Sequence, residues 1–300
     1  MYSLIAEAHR IPSIEMVVFT GGECFLLGAD LDGLIAHAHE LQFRTRVVTN
    51  GYWAVNERAA RRRVAALRRA GLDEMMLSTG TFHQKFVPVE RVIHAARATS
   101  SAGLRTRIAI ETCDQQTFDD SVLRRELADA ISRKLVYLGH DPWLIDSGGR
   151  GRTSITHKRL RDHDPSDRAS GRCTQVLDTI TVTPAQKLLA CCGFPMEQLP
   201  RLSIGSVEHE ALDDVLRRAP NQLLTMWMHV AGPRAIESFV ARYLPGYALP
   251  ESVSICDSCV TLHRDSAAMR VIGEHGSEIV DQVFSSFVQR NGGVEQLQAF

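Results

Sequence analysis

No cysteine precedes Cys24, no apolar run approaches the roughly 18 residues that a membrane span needs, and no long run carries charge of one sign. The second absence excludes a membrane-spanning helix, and no signal peptide stands before the first helical pattern. The third removes the case for nucleic acid as a main partner: 34 basic and 35 acidic residues leave a formal charge of −1. The densest basic cluster, Arg61-Arg62-Arg63 with Arg68-Arg69, lies in a helical pattern and reads as a solvated face. Seven cysteines are present, an odd number, and two form a CxxC pair. Without an export signal, that usage favours metal or redox chemistry in a reducing compartment, the cytoplasm, over disulfides. A chain of 300 residues buries about three quarters of its unfolded surface, enough for one large domain or two.

The stretch Val17-Val18-Phe19-Thr20 runs into Gly21-Gly22-Glu23. An apolar run ending in two glycines reads as a buried parallel strand entering a loop to which a ligand can come close. Glu23 then stands at the carboxyl end of a strand, where open α/β sheets and barrels keep their ligands. A carboxylate there suits an ammonium group; the plainer alternative is a turn with a solvated Glu. Residues 3–11 read as a short helix, 30–42 as a helix capped by Asp30, and Arg46–Thr49 as a strand closed by Asn50-Gly51. An Ala/Arg-rich helix follows over 55–70, stopped by Gly71, then strand Met75–Ser78 and a helix over 89–102. Strand Thr106–Glu111, helix 119–132 and strand Leu135–Leu138 complete five strands. Such alternation predicts α/β architecture with a parallel sheet or partial barrel.

Residues 17–54 resemble the second and third βα units of the radical S-adenosylmethionine (SAM) superfamily. In that family the Gly-Gly-Glu segment contacts the methionine amino group of SAM, the third strand often ends in Thr-Asn-Gly, here Thr49-Asn50-Gly51, and a later strand runs into Ser-x-Asp-x-x-His. Here that last segment is Ser78-Thr79-Gly80-Thr81-Phe82-His83, with Gly80 in place of Asp. The resemblance covers most of residues 1–155. It implies a partial (β/α) barrel missing its first strand, with Gly21, Gly22, Glu23, Asn50, Ser78, His83 and Glu111 around SAM. Asn50 equally suits the turn, His83 a surface role, and Glu111 enters on its position at a strand end. Gly149-Arg150-Gly151 looks like the family's Gly-Arg-Ala element, or an ordinary solvated Arg. The defining CxxxCxxC is absent, so a radical four-iron cluster is expected only with an N-terminal extension. The uncovered edge of the strand at Gly-Gly-Glu makes the chain aggregation-prone by expectation.

Residues 156–172 are polar and read as a linker. From Cys173 a second pattern begins. Leu177–Thr183 and Lys187–Gly193 form a hairpin that brings Cys191 and Cys192 near Cys173, helical patterns follow near 209–218, 221–230 and 234–243, and Cys256-Asp257-Ser258-Cys259 offers two thiols from one turn. Over 173–262 this resembles the auxiliary iron–sulfur domains, SPASM and the smaller twitch form, of radical SAM enzymes: a small cysteine-rich α+β domain. Five cysteines suit one four-iron cluster, held by Cys173, Cys256, Cys259 and either Cys191 or Cys192. Zinc takes four thiolates as well. Cys24 and Cys113 read as packed thiols, and 263–300 as two amphipathic helices. The implied activity is generation of a 5′-deoxyadenosyl radical that modifies a substrate, with a ribosomally made peptide ahead of a small molecule. Ferredoxin or flavodoxin would supply electrons. The alternatives are a SAM- or peptide-binding scaffold without catalysis, and a zinc-stabilised structural domain.

Overall fold

The computed structural model describes residues 1–111, 118–141, 171–192, 199–218, 222–250, 252 and 255–290. Cys113, most of the 156–172 linker and Gly149-Arg150-Gly151 lie outside them. The chain divides into two compact units, Met1–Leu144 and Ile145–Phe300.

In the first unit α1 (Tyr2–Ala8) precedes β1 (Met16–Phe19), and the unit then alternates: α2 (Ala29–Glu40), β2 (Arg44–Thr49), α3 (Glu57–Arg69), β3 (Glu74–Gly80), α4 (Val89–Ser101), β4 (Arg105–Glu111). Two short helices, α5 (Ser121–Glu126) and α6 (Ala128–Ser132), lead to β5 (Val136–Asp141). The single helix expected over 119–132 is broken at Leu127, whose φ of −116° and ψ of 15° leave the helical region. All five strands are parallel, in the order β1-β2-β3-β4-β5. Sequential order with right-handed crossovers puts every connecting helix on one side of the sheet, as in a (β/α) barrel and unlike a doubly wound sheet, whose order reverses. A partial β/α sheet is thus borne out.

The residues themselves explain this layering. Thr45, Val47 and Thr49, Met75, Leu77 and Thr79, and Thr106, Ile108 and Ile110 recur at every second position and are all at most 3 % exposed. They meet Leu31, Leu34, Ile35 and Ala38 of α2, Ala60, Val64 and Leu67 of α3, and Val92, Ala95, Ala96 and Thr99 of α4, all at helical spacing. Asn56 caps α3 by accepting from the Ala59 N–H at 2.9 Å. Gly71 ends it with φ +97°, where a Cβ would sit 2.3 Å from His39 Cγ. The sequence-predicted stop at Gly71 therefore holds, for a conformational and a steric reason.

The opposite sheet face is polar at its base. Val18, Arg46, Glu74 and Arg105 are register partners across β1–β4. Glu74 receives Arg44 at 2.5 Å, Arg46 at 2.5 Å and Arg105 at 3.0 Å. Towards the C-terminal ends the same face narrows to small residues, Ser78, Ala109 and Gly139 in register, then Gly80 beside Glu111.

The second unit carries a three-stranded antiparallel sheet in the order β6 (Thr181–Val182), β7 (Lys187–Leu189), β8 (Ser203–Ser206). The expected hairpin is present but shorter, and β8 is an addition to it. Helices α7 (Leu212–Arg218), α8 (Leu223–Ala231), α9 (Pro233–Tyr243) and α10 (Ile255–Arg264) follow, then α11 (Ser266–His275) and α12 (Val280–Arg290). The last two pack on α8, α9 and α10 within this unit. Among the described residues no helix is long and apolar enough to cross a membrane.

Candidate functional site

The loop after β1 is built around Glu23. Gly21 takes φ +126°, a region that L side chains rarely adopt. Glu23 Oε1 accepts from the Phe25 N–H at 3.1 Å and caps the short 3-10 turn Cys24–Leu27. Its Oε2 accepts from the Asn50 N–H at 2.9 Å, which ties the loop after β1 to the loop after β2. An ionised carboxylate has about four lone-pair positions, so these two bonds leave capacity for an ammonium donor. Asn50 spends its own Oδ1 on the Tyr52 N–H at 2.9 Å, the turn role weighed for it in the sequence.

Sequence reasoning missed the brace behind this pair. Trp53 Nε1 donates to Thr49 Oγ1 at 3.1 Å, and its ring stacks on Phe25 at 4.6 Å and 4°. Arg63 lies 5.1 Å over the outer face of Phe25 and pairs with Asp32. A Phe two residues after Glu23 and a Trp three after Asn50 were the available signal. Cys24 is 3 % exposed and donates to the Val48 carbonyl at 3.3 Å. Burial, then the Glu23 charge, pushes its thiol up to about 12. It is a packed thiol, not a nucleophile.

His83 and Glu111, singled out separately in the sequence, meet at the ends of β3 and β4. Glu111 is 5 % exposed. Its Oε1 accepts from the backbone N–H groups of Phe82 and His83, and its Oε2 pairs with His83 Nδ1 at 2.8 Å. Gly80 makes this arrangement fit: at φ +142°, a Cβ there would lie 2.0 Å from Glu111 Cγ. Glycine at position 80 thus has a steric cause in this chain. Ser78 is half-buried on the face away from the helices, with Ala109 as register partner.

In the second unit charge interactions link Cys173 with Cys192, Cys191 with Cys192, Cys173 and Cys256, and Cys259 with Cys173 and Cys256. Burial, and then the neighbouring Cys192, raises the pKa of Cys173, while N–H groups of Gln175 and Val176 hydrogen-bond to its sulfur and oppose the rise. Cys191 Sγ is 4.0 Å from Cys192 Sγ, and Cys192, burial, Cys173 and Cys256 all push the Cys191 thiol upward. Cys259, one helical turn after Cys256 on α10, is driven well up by burial, then by Cys173 and Cys256. The CxxC turn is braced from below by Glu237, which is fully buried: Ser258 Oγ donates to its Oε1 at 2.9 Å, and Arg234 lies 3.0 Å from its Oε2.

Thiols crowded this way stay protonated unless a cation compensates them, and loading one releases protons. A single zinc gathers its sulfurs to about 3.8 Å from each other, from a bond of about 2.3 Å in a tetrahedron. Among the described residues no group of three or more His, Cys, Asp or Glu is arranged to hold one ion. A four-iron cube also takes four thiolates and stands between them. Four thiolate donors are the chemistry that either group takes.

No protein-family model matches the chain.

Proposed function

We propose that this chain is a radical SAM-type protein whose first unit binds SAM at the C-terminal edge of its parallel sheet and whose second unit holds an auxiliary four-iron cluster. The observation that carries the reading is the Cys191–Cys192 pair, 4.0 Å between sulfurs, in charge interaction with Cys173 and with Cys256 of the CxxC turn. It is joined by the placement of Gly21-Gly22-Glu23 just past β1 of a sequentially ordered parallel sheet. Glu23 receives the ammonium of SAM on the lone pairs that Phe25 and Asn50 leave free. Gly22, at which an added Cβ would meet nothing within 4 Å, leaves the backbone open to the ligand. Cys173, Cys256, Cys259 and one of Cys191 or Cys192 take the auxiliary cluster.

In the family, SAM reductively cleaved at a four-iron cluster supplies a 5′-deoxyadenosyl radical. The three ligands of that cluster come from CxxxCxxC, which this sequence does not contain. The proposal for these residues is therefore confined to binding SAM, orienting it and holding the second cluster. A peptide or small-molecule substrate and a ferredoxin- or flavodoxin-type donor belong to the same reading. A second reading of the same residues is a SAM- or peptide-binding scaffold without catalysis.

Iron, acid-labile sulfide and zinc are measured per chain after anaerobic reconstitution, with SAM titrated against the product. About four irons and four sulfides, lost in Cys256→Ser and in only one of Cys191→Ser and Cys192→Ser, are expected. Zinc near one per chain without sulfide refutes the cluster; absence of SAM binding refutes the first half of the proposal.

A further inference from the structure

The loop from Thr81 to Pro88 is organised around one imidazole. Two backbone N–H groups and the His83 ring all converge on Glu111. The Phe86 and Val87 N–H groups donate to the His83 carbonyl at 2.9 and 2.8 Å. Gln84 bridges Thr79 Oγ1 and the Val89 N–H, both at 2.9 Å. The carboxylate is buried, yet the ring it holds is 30 % exposed. Among the described residues Nε2 has no hydrogen-bond partner. Such fixation of one ring nitrogen, with the other left at a strand end where ligands bind, exceeds what a surface histidine requires.

We infer that His83 Nε2 is a proton-accepting group for a ligand held at this edge, and that Glu111 is the positioning residue that sets its tautomer. A carboxylate on Nδ1 fixes the proton there and leaves the lone pair on Nε2. The ligand class is one that presents an ammonium or hydroxyl within hydrogen-bond reach. In the step, the ligand's N–H or O–H bond breaks, its electron pair stays on the ligand heteroatom and the proton bonds to Nε2. The imidazolium so formed keeps Nδ1–H on the Glu111 carboxylate. This inference does not rest on the SAM reading, and a chain that fails to bind SAM leaves it standing.

The side-chain chemistry makes a definite prediction for Glu111→Gln. The N–H groups of Phe82 and His83 both need an acceptor where Oε1 now lies, so the amide oxygen must occupy that place. The amide NH2 then faces Nδ1, which can no longer carry a proton, and the ring shifts to the Nε2–H tautomer. Histidine-labelled full chain is examined by 15N NMR at about pH 8, above the ordinary imidazole range. A single Nδ1–H tautomer for His83 in the natural protein, exchanged for Nε2–H in Glu111→Gln, is expected. A doubly protonated or Nε2–H ring in the natural protein overturns the inference, as does an unchanged tautomer in the variant. If the variant does not fold, the natural protein decides through reaction with diethyl pyrocarbonate, which acylates unprotonated ring nitrogen. His83 is expected to be acylated; a His83 left unmodified by reagent that modifies His209, whose side chain is 86 % exposed, overturns it.

Discussion

Gly22 offers a test in which stability and binding move in opposite directions. An added Cβ there meets no atom within 4 Å, and the residue is not among those with positive φ. Among the described residues nothing requires glycine at this position. Replacing it with alanine lowers the entropy of the unfolded chain, so Gly22→Ala is expected to stabilise the protein by about 0.4–1 kcal/mol. Gly21 has equal space but φ +126°, so Gly21→Ala should cost about 1–3 kcal/mol in backbone strain. If the glycine at 22 serves close approach by SAM, the same methyl that stabilises the chain must collide with the ligand. An overpacking cost of about 1–3 kcal/mol corresponds to roughly a 5- to 150-fold weaker Kd. Urea unfolding supplies the first quantity and titration calorimetry with SAM the second. The reasoning is refuted if Gly22→Ala binds SAM like the natural chain, or if it is destabilised as much as Gly21→Ala.

Two further predictions concern pH. Cys24 keeps its proton in the fold up to about 12, whereas the unfolded chain loses it near 9.0. Its contribution is complete below pH 9 and is lost as pH rises towards 12, by up to roughly 4 kcal/mol. Alkaline unfolding curves of Cys24→Ala should lack that loss, and an unchanged curve would show that Cys24 ionises freely. Glu74 behaves in the opposite sense. Burial raises its pKa, but Arg46, Arg44 and Arg105 together outweigh burial and hold it below 4.5. Its contribution is present above pH 4.5 and fades as pH falls through the lower folded value. Glu74→Gln should cost about 1–2 kcal/mol at neutral pH, modest because the arginines are partly solvated, and should flatten the acid limb of the stability profile. An equal loss at pH 3 and pH 7 would assign Glu74 to packing alone.

The elements that were legible in the sequence are those whose burial follows a local period. Ala60, Val64 and Leu67 repeat at helical spacing, and Val47, Met75, Leu77 and Ile108 sit in apolar runs between glycine stops. β8 was not legible because Ser203-Ile204-Gly205-Ser206 has no run to mark it. It is a strand because β7 pairs with it and because Gly205, at φ +156°, leaves room for Val215, whose Cγ1 would lie 2.5 Å from a Cβ. The break at Leu127 and the brace of Phe25 on Trp53 likewise come from tertiary packing, not from local pattern.

The site shows the same division. Glu23 and Glu111 could be chosen from the sequence because strand ends in a parallel sheet converge on one edge, and His83 because it stands where the Ser-x-Asp-x-x-His pattern places its His. That His83 and Glu111 belong to each other could not be read, since 28 positions separate them and the link depends on register. β3 and β4 pair so that Gly80 stands opposite Glu111. A Cβ at position 80 would overlap Glu111 Cγ, and a carboxylate forced away from that place could no longer receive the Phe82 and His83 amides. Gly80 is therefore the residue on which the pair depends. Below it, Arg46, Glu74 and Arg105 compensate one another at the base of the same sheet face. The N-terminal ends of the strands thus hold arginines paired to Glu74, while the C-terminal ends keep Glu23 with lone pairs to spare and an imidazole with an unused nitrogen. That asymmetry places Glu23 and His83, each with a hydrogen-bonding position to spare, at the carboxyl edge of the sheet.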